Sequence, residues 1–413
     1  MKHLKTLCVL LLVSAAMLAT ATTCAQANPS RTTPGSSQRK PTAVADDDPN
    51  VPYKTFDATP AITMGPLLLD MSNTSVLVEW MTDSVSDGKL SYGEGKLEHE
   101  VIPQVDGLIP VGTMHRVVID GLQPGHTYQY RVASRRVVAL KPYWPDMGRP
   151  VASPIASFTT FDTTKKATRF AVITDTHEDV GRIHALMGMI GQAPVDFVVH
   201  TGDSLNYVVS ENQMKDKFLD PMAAGLQGRT PLLYVRGNHD YRGEQARSFG
   251  EYLHSQSGKF FYTRDDGPLH LVMVDTGEDK PDATNVYAGL NNLRDYRQQE
   301  FAWFRQVLAD EPRTTTAPFT VVLGHDPEWG WLDGHNDQWM QAANQAHVDL
   351  FIAGHEHRFM HIKPGERGND FPILVVGQDQ VARVEASEQE LKVRLTDRAG
   401  KVIDAFTIMR KTK

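Results

Sequence analysis

The stretch Pro231-Leu232-Leu233-Tyr234-Val235-Arg236-Gly237-Asn238-His239-Asp240 runs from an apolar segment directly into small and polar residues. That order reads as a buried strand opening onto a loop. In α/β domains such loops, at the carboxyl ends of strands, are where ligands collect. Four other segments repeat the pattern: Asp175-Thr176-His177, Gly202-Asp203, Gly324-His325 and Gly354-His355-Glu356-His357 each end or follow a short apolar run. Any one of these histidines, met alone, reads as a packed or capped structural residue. Five such motifs at five strand ends read as one site.

The residues between the motifs agree. From residue 168 onward short apolar strands alternate with segments of helical spacing, among them residues 180–191, 211–224, 244–256 and 296–309. The tail, residues 371–409, returns to β character. This alternation predicts a layered α/β domain over residues 168–409, with two sheets sandwiched between helices in four layers, α/β/β/α. Residues 55–162 have a different texture, with short alternating runs such as Ser75-Val76-Leu77-Val78-Glu79-Trp80 separated by Gly and Asp turns and no run of helical length. Tyr128, Tyr130 and Val132 alternate on one strand, the arrangement in which a tyrosine packs over a sandwich edge. A separate β-sandwich is expected there, with residues 161–167 as a polar junction.

The chain has 413 residues and a formal net charge of -8, which argues against a general nucleic-acid binder. Residues 1–27 read as an export signal, with Lys2 and Lys5 before the apolar residues 7–19 and Ala25-Gln26-Ala27 as the cleavage site. The expected location is the periplasm or the outside of the cell, with lipid anchoring at Cys24 the minor alternative. Once the leader is removed, no integral membrane segment is expected. Both cysteines, Cys8 and Cys24, fall in the leader, so a mature chain has no thiol chemistry. Residues 28–54 read as a disordered linker.

The motifs supply Asp175, His177, Asp203, Asn238, His325, His355 and His357 as candidate metal ligands. In an extended segment, residues two apart face the same side, which would bring Asp175 and His177 together, and likewise His355 and His357. One ion takes about four to six ligands, so seven suit two ions sharing a carboxylate. Such a pair, roughly 3.5 Å apart, can bind a substrate oxygen and activate water for in-line attack. Mixed nitrogen and oxygen ligands favour transition metals (Fe, Mn or Zn) over Mg or Ca. Arg236, Tyr241 and Arg242 flank the central motif and could grip a phosphate. Trp329 and Trp331 follow His325 and could stack on a base or aromatic group.

The ordered series Asp-x-His, Gly-Asp, Gly-Asn-His-Asp, Gly-His and Gly-His-x-His resembles the calcineurin-like metallophosphoesterase superfamily. With the preceding region, which resembles the fibronectin-type-III-like N-terminal domain of purple acid phosphatases, the likeness extends to bacterial relatives of those enzymes. The resemblance implies a first ion on Asp175, His177 and His357, a second on Asn238, His325 and His355, and Asp203 bridging. It implies attack on phosphorus by a hydroxide or water between the ions, with His239 assisting the leaving group and Asp240 orienting His239. The substrate would be a small phosphomonoester or phosphodiester; a nucleotidase with a base on Trp329 and Trp331 is the second reading. A non-catalytic binding or adhesion protein is the third, disfavoured because the ligand set is unbroken. Purple acid phosphatases resemble Asp-x-Gly at the first motif and carry a tyrosine three residues after the bridging aspartate. Here those places hold His177 and Asn206, which argues against a tyrosinate–iron centre.

Overall fold

The computed structural model describes residues 54–411, apart from 254, 311–312, 314–315 and 331–335. The leader, nearly all of the linker and Trp331 therefore lie outside the described residues. The first seven strands are β1 (Ile62–Leu69), β2 (Val76–Gly93), β3 (His99–Val101), β4 (Gly112–Ile119), β5 (Thr127–Ala139), β6 (Asp146–Ala152) and β7 (Ala156–Thr159). The next seven are β8 (Ala167–Ile173), β9 (Phe197–His200), β10 (Leu232–Tyr234), β11 (Tyr262–Asp266), β12 (Leu269–Met273), β13 (Phe319–Leu323) and β14 (Leu350–Ala353). The tail adds β15 (Met360–Ile362), β16 (Ile373–Val375), β17 (Gln380–Ser387), β18 (Glu390–Asp397) and β19 (Val402–Met409).

Two sheets organise the α/β part. One runs β19-β18-β17-β8-β9-β10 and the other β11-β12-β13-β14-β16-β15. Strands β8, β9 and β10 are parallel, as are β12, β13, β14 and β16, so all their carboxyl ends point one way within each sheet. Alternation along each strand divides its side chains between two cores. Phe170 and Val172 of β8 share a core with Val321 of β13 and Ile352 of β14. Ala171 and Ile173 face the other way, onto Ile183 and Leu186 of the helix Val180–Ile190 and onto Met222. Val322 and Phe351 likewise pack on Phe304 of the helix Leu293–Asp310 and Trp339 of the helix Asn336–Gln345. Helices thus cover the outer face of each sheet, as the alternating sequence pattern predicts.

The N-terminal strands depart from expectation. The segments read as separate strands at 75–80 and 89–92 belong to one eighteen-residue strand, β2. Its first half pairs with β1 and β4, and its second half pairs with β3 and β5. Nor are these strands detached from the α/β layers. Strand β1 lies parallel to β10, with Leu69 opposite Leu232, so the first of the two sheets continues into the N-terminal strands. The Tyr130 hydroxyl donates to the Gly228 carbonyl (2.7 Å), and Asp70 receives the Gln256 amide (2.6 Å) and pairs with Arg264. The expected polar junction carries a buried Phe161 packed on Phe197. Tyr128 does close its corner, its hydroxyl accepting from the Gln123 amide (2.9 Å). The expected helix at 244–256 is reduced to two short turns, Ala246–Ser248 and Gly250–Leu253. No helix among the described residues is long and apolar enough to cross a membrane.

Candidate metal centre

All five motifs emerge where parallel strands end: Asp175 after β8, Asp203 after β9, Asn238 after β10, His325 after β13 and His355 after β14. Asp175, His177, Asp203 and His357 offer ligand atoms that lie within 4.8 Å of one another, a group able to hold a metal ion. Asp175 Oδ1 is buried without a hydrogen bond of good geometry, and it faces His357 Nε2 at 3.3 Å and His177 Nε2 at 3.7 Å. A buried, under-satisfied carboxylate oxygen aimed at imidazole nitrogens fits a cation better than it fits a packed core. Beside this group, Asn238 Oδ1 lies 3.0 Å from His325 Nε2 and 3.1 Å from His355 Nδ1. His325 is held from behind, its Nδ1 against the Thr201 carbonyl at 2.7 Å.

The ligands do not converge in the way an extended backbone would bring them. Asp175 (φ 52°), His177 (45°), Asp203 (57°), His355 (71°) and His357 (57°) all adopt left-handed backbone. Non-glycine residues rarely do so, and such strain gathers at functional sites. The glycines of the motifs have a separate reason. A Cβ on Gly237 would lie 2.3 Å from Asp203 Oδ1, and one on Gly354 would lie 2.0 Å from Thr174 Oγ1. The Gly-x spacing that marks these motifs is thus a requirement for loops to approach one another.

Two ionised carboxylates dominate the electrostatics. Burial alone would raise Asp175, yet the His177 and His357 imidazoles beside it hold it well below the usual carboxylate range. Burial would also raise Asp203, but the charge of His325 keeps it low. Burial would lower the His325 imidazole, and the Asp203 carboxylate beside it instead lifts it to about 10. A pocket that draws protons onto imidazoles in this way attracts cations generally.

His239 sits edge-on to His177, with ring centroids 4.9 Å apart. Its Nδ1 lies 2.9 Å from the Asn206 carbonyl and its Nε2 lies 3.1 Å from Arg242 Nη1. A carbonyl only accepts and a guanidinium only donates, so these partners place the proton on Nδ1 and leave Nε2 as acceptor. The expected Asp240–His239 pair is replaced. Asp240 turns inward, and its carboxylate accepts from the Gly237, Asp203 and Ser204 amides and the Ser204 and Tyr234 hydroxyls, at 2.6–3.2 Å. The single turn His239–Tyr241 is what sends the two adjacent side chains apart. Burial, then the charge of Asp203, pushes the Asp240 carboxyl upward against those donors.

The expected substrate contacts are also redrawn. Arg236 is bound to Asp275 (3.0 and 2.6 Å) and lies over the Tyr241 ring, whose hydroxyl reaches the same carboxylate at 2.8 Å. Trp329 is buried against Phe351 and Trp339 and so faces no ligand. Arg236, Tyr241 and Trp329 therefore brace the loops. Arg242 is the member of the set that reaches the site, through His239, while Glu278 and Asp279 bind it at 2.6 and 2.9 Å. The acceptor role of the Asn206 backbone and the hub at Asp275 were hidden from sequence reading, because neither carries a ligand pattern.

Residues 168–359 match the family model for calcineurin-like phosphoesterases, and residues 67–160 match that for the purple acid phosphatase N-terminal domain. Acid phosphatase type 7 of Mus musculus is 27% identical over 52% of this chain and 45% of its own length. Purple acid phosphatase 23 of Arabidopsis thaliana is 22% identical over 62% of this chain and 59% of its own. The chain thus spans about half the length of the curated relatives it matches. Among solved structures, a purple acid phosphatase from yellow lupin (Lupinus luteus) seeds superposes with a TM-score of 0.60 at 16% identity, covering 85% of this chain and 74% of its own. One described as PhoD superposes with a TM-score of 0.57 at 12% identity, covering 86% and 94%. At these identities the likeness concerns the fold.

Proposed function

From a calcineurin-like phosphoesterase domain preceded by a purple acid phosphatase N-terminal domain, we propose that this chain is a metal-dependent phosphoesterase acting through two ions. One observation carries the reading. Asp203 Oδ2 is faced from two sides, by His177 Nε2 at 3.5 Å and His325 Nε2 at 3.3 Å, while its Oδ1 is taken by the His239 amide at 2.9 Å. A single carboxylate oxygen between two ligand groups is the arrangement a shared ion pair requires. Asp175, His177, Asp203 and His357 would hold one ion; Asp203, Asn238, His325 and His355 would hold the other. Transition metals of the Fe, Mn or Zn type suit these donors. Bound there, such ions supply Lewis-acid charge at the phosphoryl oxygens and acidify a water.

The protein's own groups do the rest. The left-handed loops fix the donor atoms before substrate arrives. His239 stands beyond the ligands, positioned to hydrogen-bond the ester's leaving oxygen. In the arrangement described, Nε2 accepts from Arg242 and carries no proton, so that role requires Nε2 to part from Arg242 and take a proton from solvent first. Export to the periplasm or beyond belongs to the same proposal, on the leader alone.

The test is metal analysis beside turnover of p-nitrophenyl phosphate and its bis ester. Two ions per chain are expected, with His239→Ala retaining both and losing about 100- to 10,000-fold in kcat. One ion at saturation would remove the bridging role of Asp203, and undiminished turnover would remove that of His239.

A further inference from the structure

Six large hydrophobic side chains among the described residues after 167 are exposed: Tyr207, Val209, Val286, Leu290, Val402 and Met409. Scattered exposure of this kind is ordinary, but four of the six are not scattered. They lie on two loops that flank the segment from Arg242 to Arg247, and Arg242 is the residue bonded to His239. The loop of Tyr207 (55% exposed) and Val209 (45%) is fastened there by the Val208 amide to the Arg242 carbonyl (2.7 Å) and the Gln245 amide to the Val208 carbonyl (2.8 Å). The loop of Val286 (71%) and Leu290 (70%) is fastened by Arg247 to the Leu290 carbonyl (3.4 Å). Tyr207 lies beside His239 itself, with ring centroids 6.2 Å apart. The remaining two exposed residues, Val402 and Met409, lie on β19.

The charge pattern disfavours an alternative use of the same rim. Arg242, the cation bonded to His239, is already bound by Glu278 and Asp279. A second phosphate on the substrate, as in a nucleoside diphosphate, would meet this paired cation together with two carboxylates.

Resting on the phosphoesterase reading of the same centre, we propose that these loops form an apolar leaving-group subsite. The substrate class is then a phosphate ester of an aromatic or aliphatic alcohol. The phosphoryl group lies on the metal side and the apolar group across Tyr207 toward Val286 and Leu290.

Alkylphosphonates separate this subsite from turnover, because they bind without being cleaved and differ only in chain length. Titrating the metal-loaded full chain with ethylphosphonate and hexylphosphonate should show about tenfold or greater preference for hexyl, the scale on which a few methylenes discriminate. In a Val286→Ser/Leu290→Ser double variant, which alters only exposed side chains, the ratio should fall close to one. Equal affinities in the unaltered chain, or a preference the double variant leaves intact, would overturn the subsite. A hexyl preference that vanishes in the variant supports it even if no ester is hydrolysed, and that absence of hydrolysis would overturn the phosphoesterase reading alone.

Discussion

The loops at the α/β strand ends and the turns between the N-terminal strands are built from the same turn residues under opposite constraints. At the strand ends, glycines are hemmed in: a Cβ on Gly202 or Gly237 would meet backbone atoms within 2.6 Å. In the turns between the N-terminal strands, Gly95, Gly107 and Gly121 have positive φ, yet nothing lies within 4 Å of where a Cβ would be. The strand-end loops bury Asp175, Asp203 and Asp240. The β3–β4 connection and the β5–β6 hairpin instead expose Leu108 and Tyr143. At the strand ends glycine allows the ligand loops to touch; at Gly95, Gly107 and Gly121 it only allows the chain to turn. Crowding at Gly202, Gly237 and Gly354 thus serves loops whose donor atoms must be held closely in place.

Four substitutions probe that contrast. Gly237→Ala should have the largest effect, because its methyl would displace Asp203; loss of metal and of measurable turnover is expected, read by metal analysis and kcat. Retention of both ions would mean that the crowding has no functional weight. Asp240→Asn should follow, since an amide NH2 would face donors that the carboxylate now accepts. A loss of about 2–4 kcal/mol is expected in denaturant unfolding. Glu79→Gln tests the exception to the contrast, a carboxyl buried in the N-terminal strands 3.2 Å from Arg116. Burial raises Glu79 from 4.5 to about 8, against the pull of Arg116. The native chain keeps that proton while the unfolded chain loses it, so stability should fall as pH rises through this window. In Glu79→Gln the decline in melting temperature between pH 4.5 and 8 should be shallower than in the unaltered chain. Gly107→Ala should cost least, about 1–2 kcal/mol of backbone strain with turnover unchanged.

The sequence made the metal centre more legible than its surroundings, for a physical reason. Ligands must end strands and carry particular donor atoms, so Asp175, His177, Asp203, Asn238, His325, His355 and His357 leave a pattern. The direction of a side chain around a turn leaves none. Arg236, Tyr241 and Trp329 have the chemistry of substrate contacts, and only packing reveals that Asp275 and the aromatic core occupy them. Asp240 is separated from its expected partner by one turn of backbone, and the acceptor that replaces it, the Asn206 carbonyl, is a group every residue possesses. The layers of the α/β part were readable because hydrophobic alternation is local. The pairing of β1 with β10 was not, since it joins positions 163 residues apart, Leu69 and Leu232, through a single register.

That pairing changes what a domain boundary means in this chain. Composition and the two family matches both divide the chain near residues 160–168, yet the first of the two sheets does not stop there. A chain trimmed to residues 168–411 would lose β1 and leave β10 as a sheet edge with unpaired amides and carbonyls, an edge of the kind that recruits other chains. It would also uncover the place where Tyr130 now meets Gly228. The N-terminal strands therefore act as an edge guard for the sheet that carries Asp175, Asp203 and Asn238.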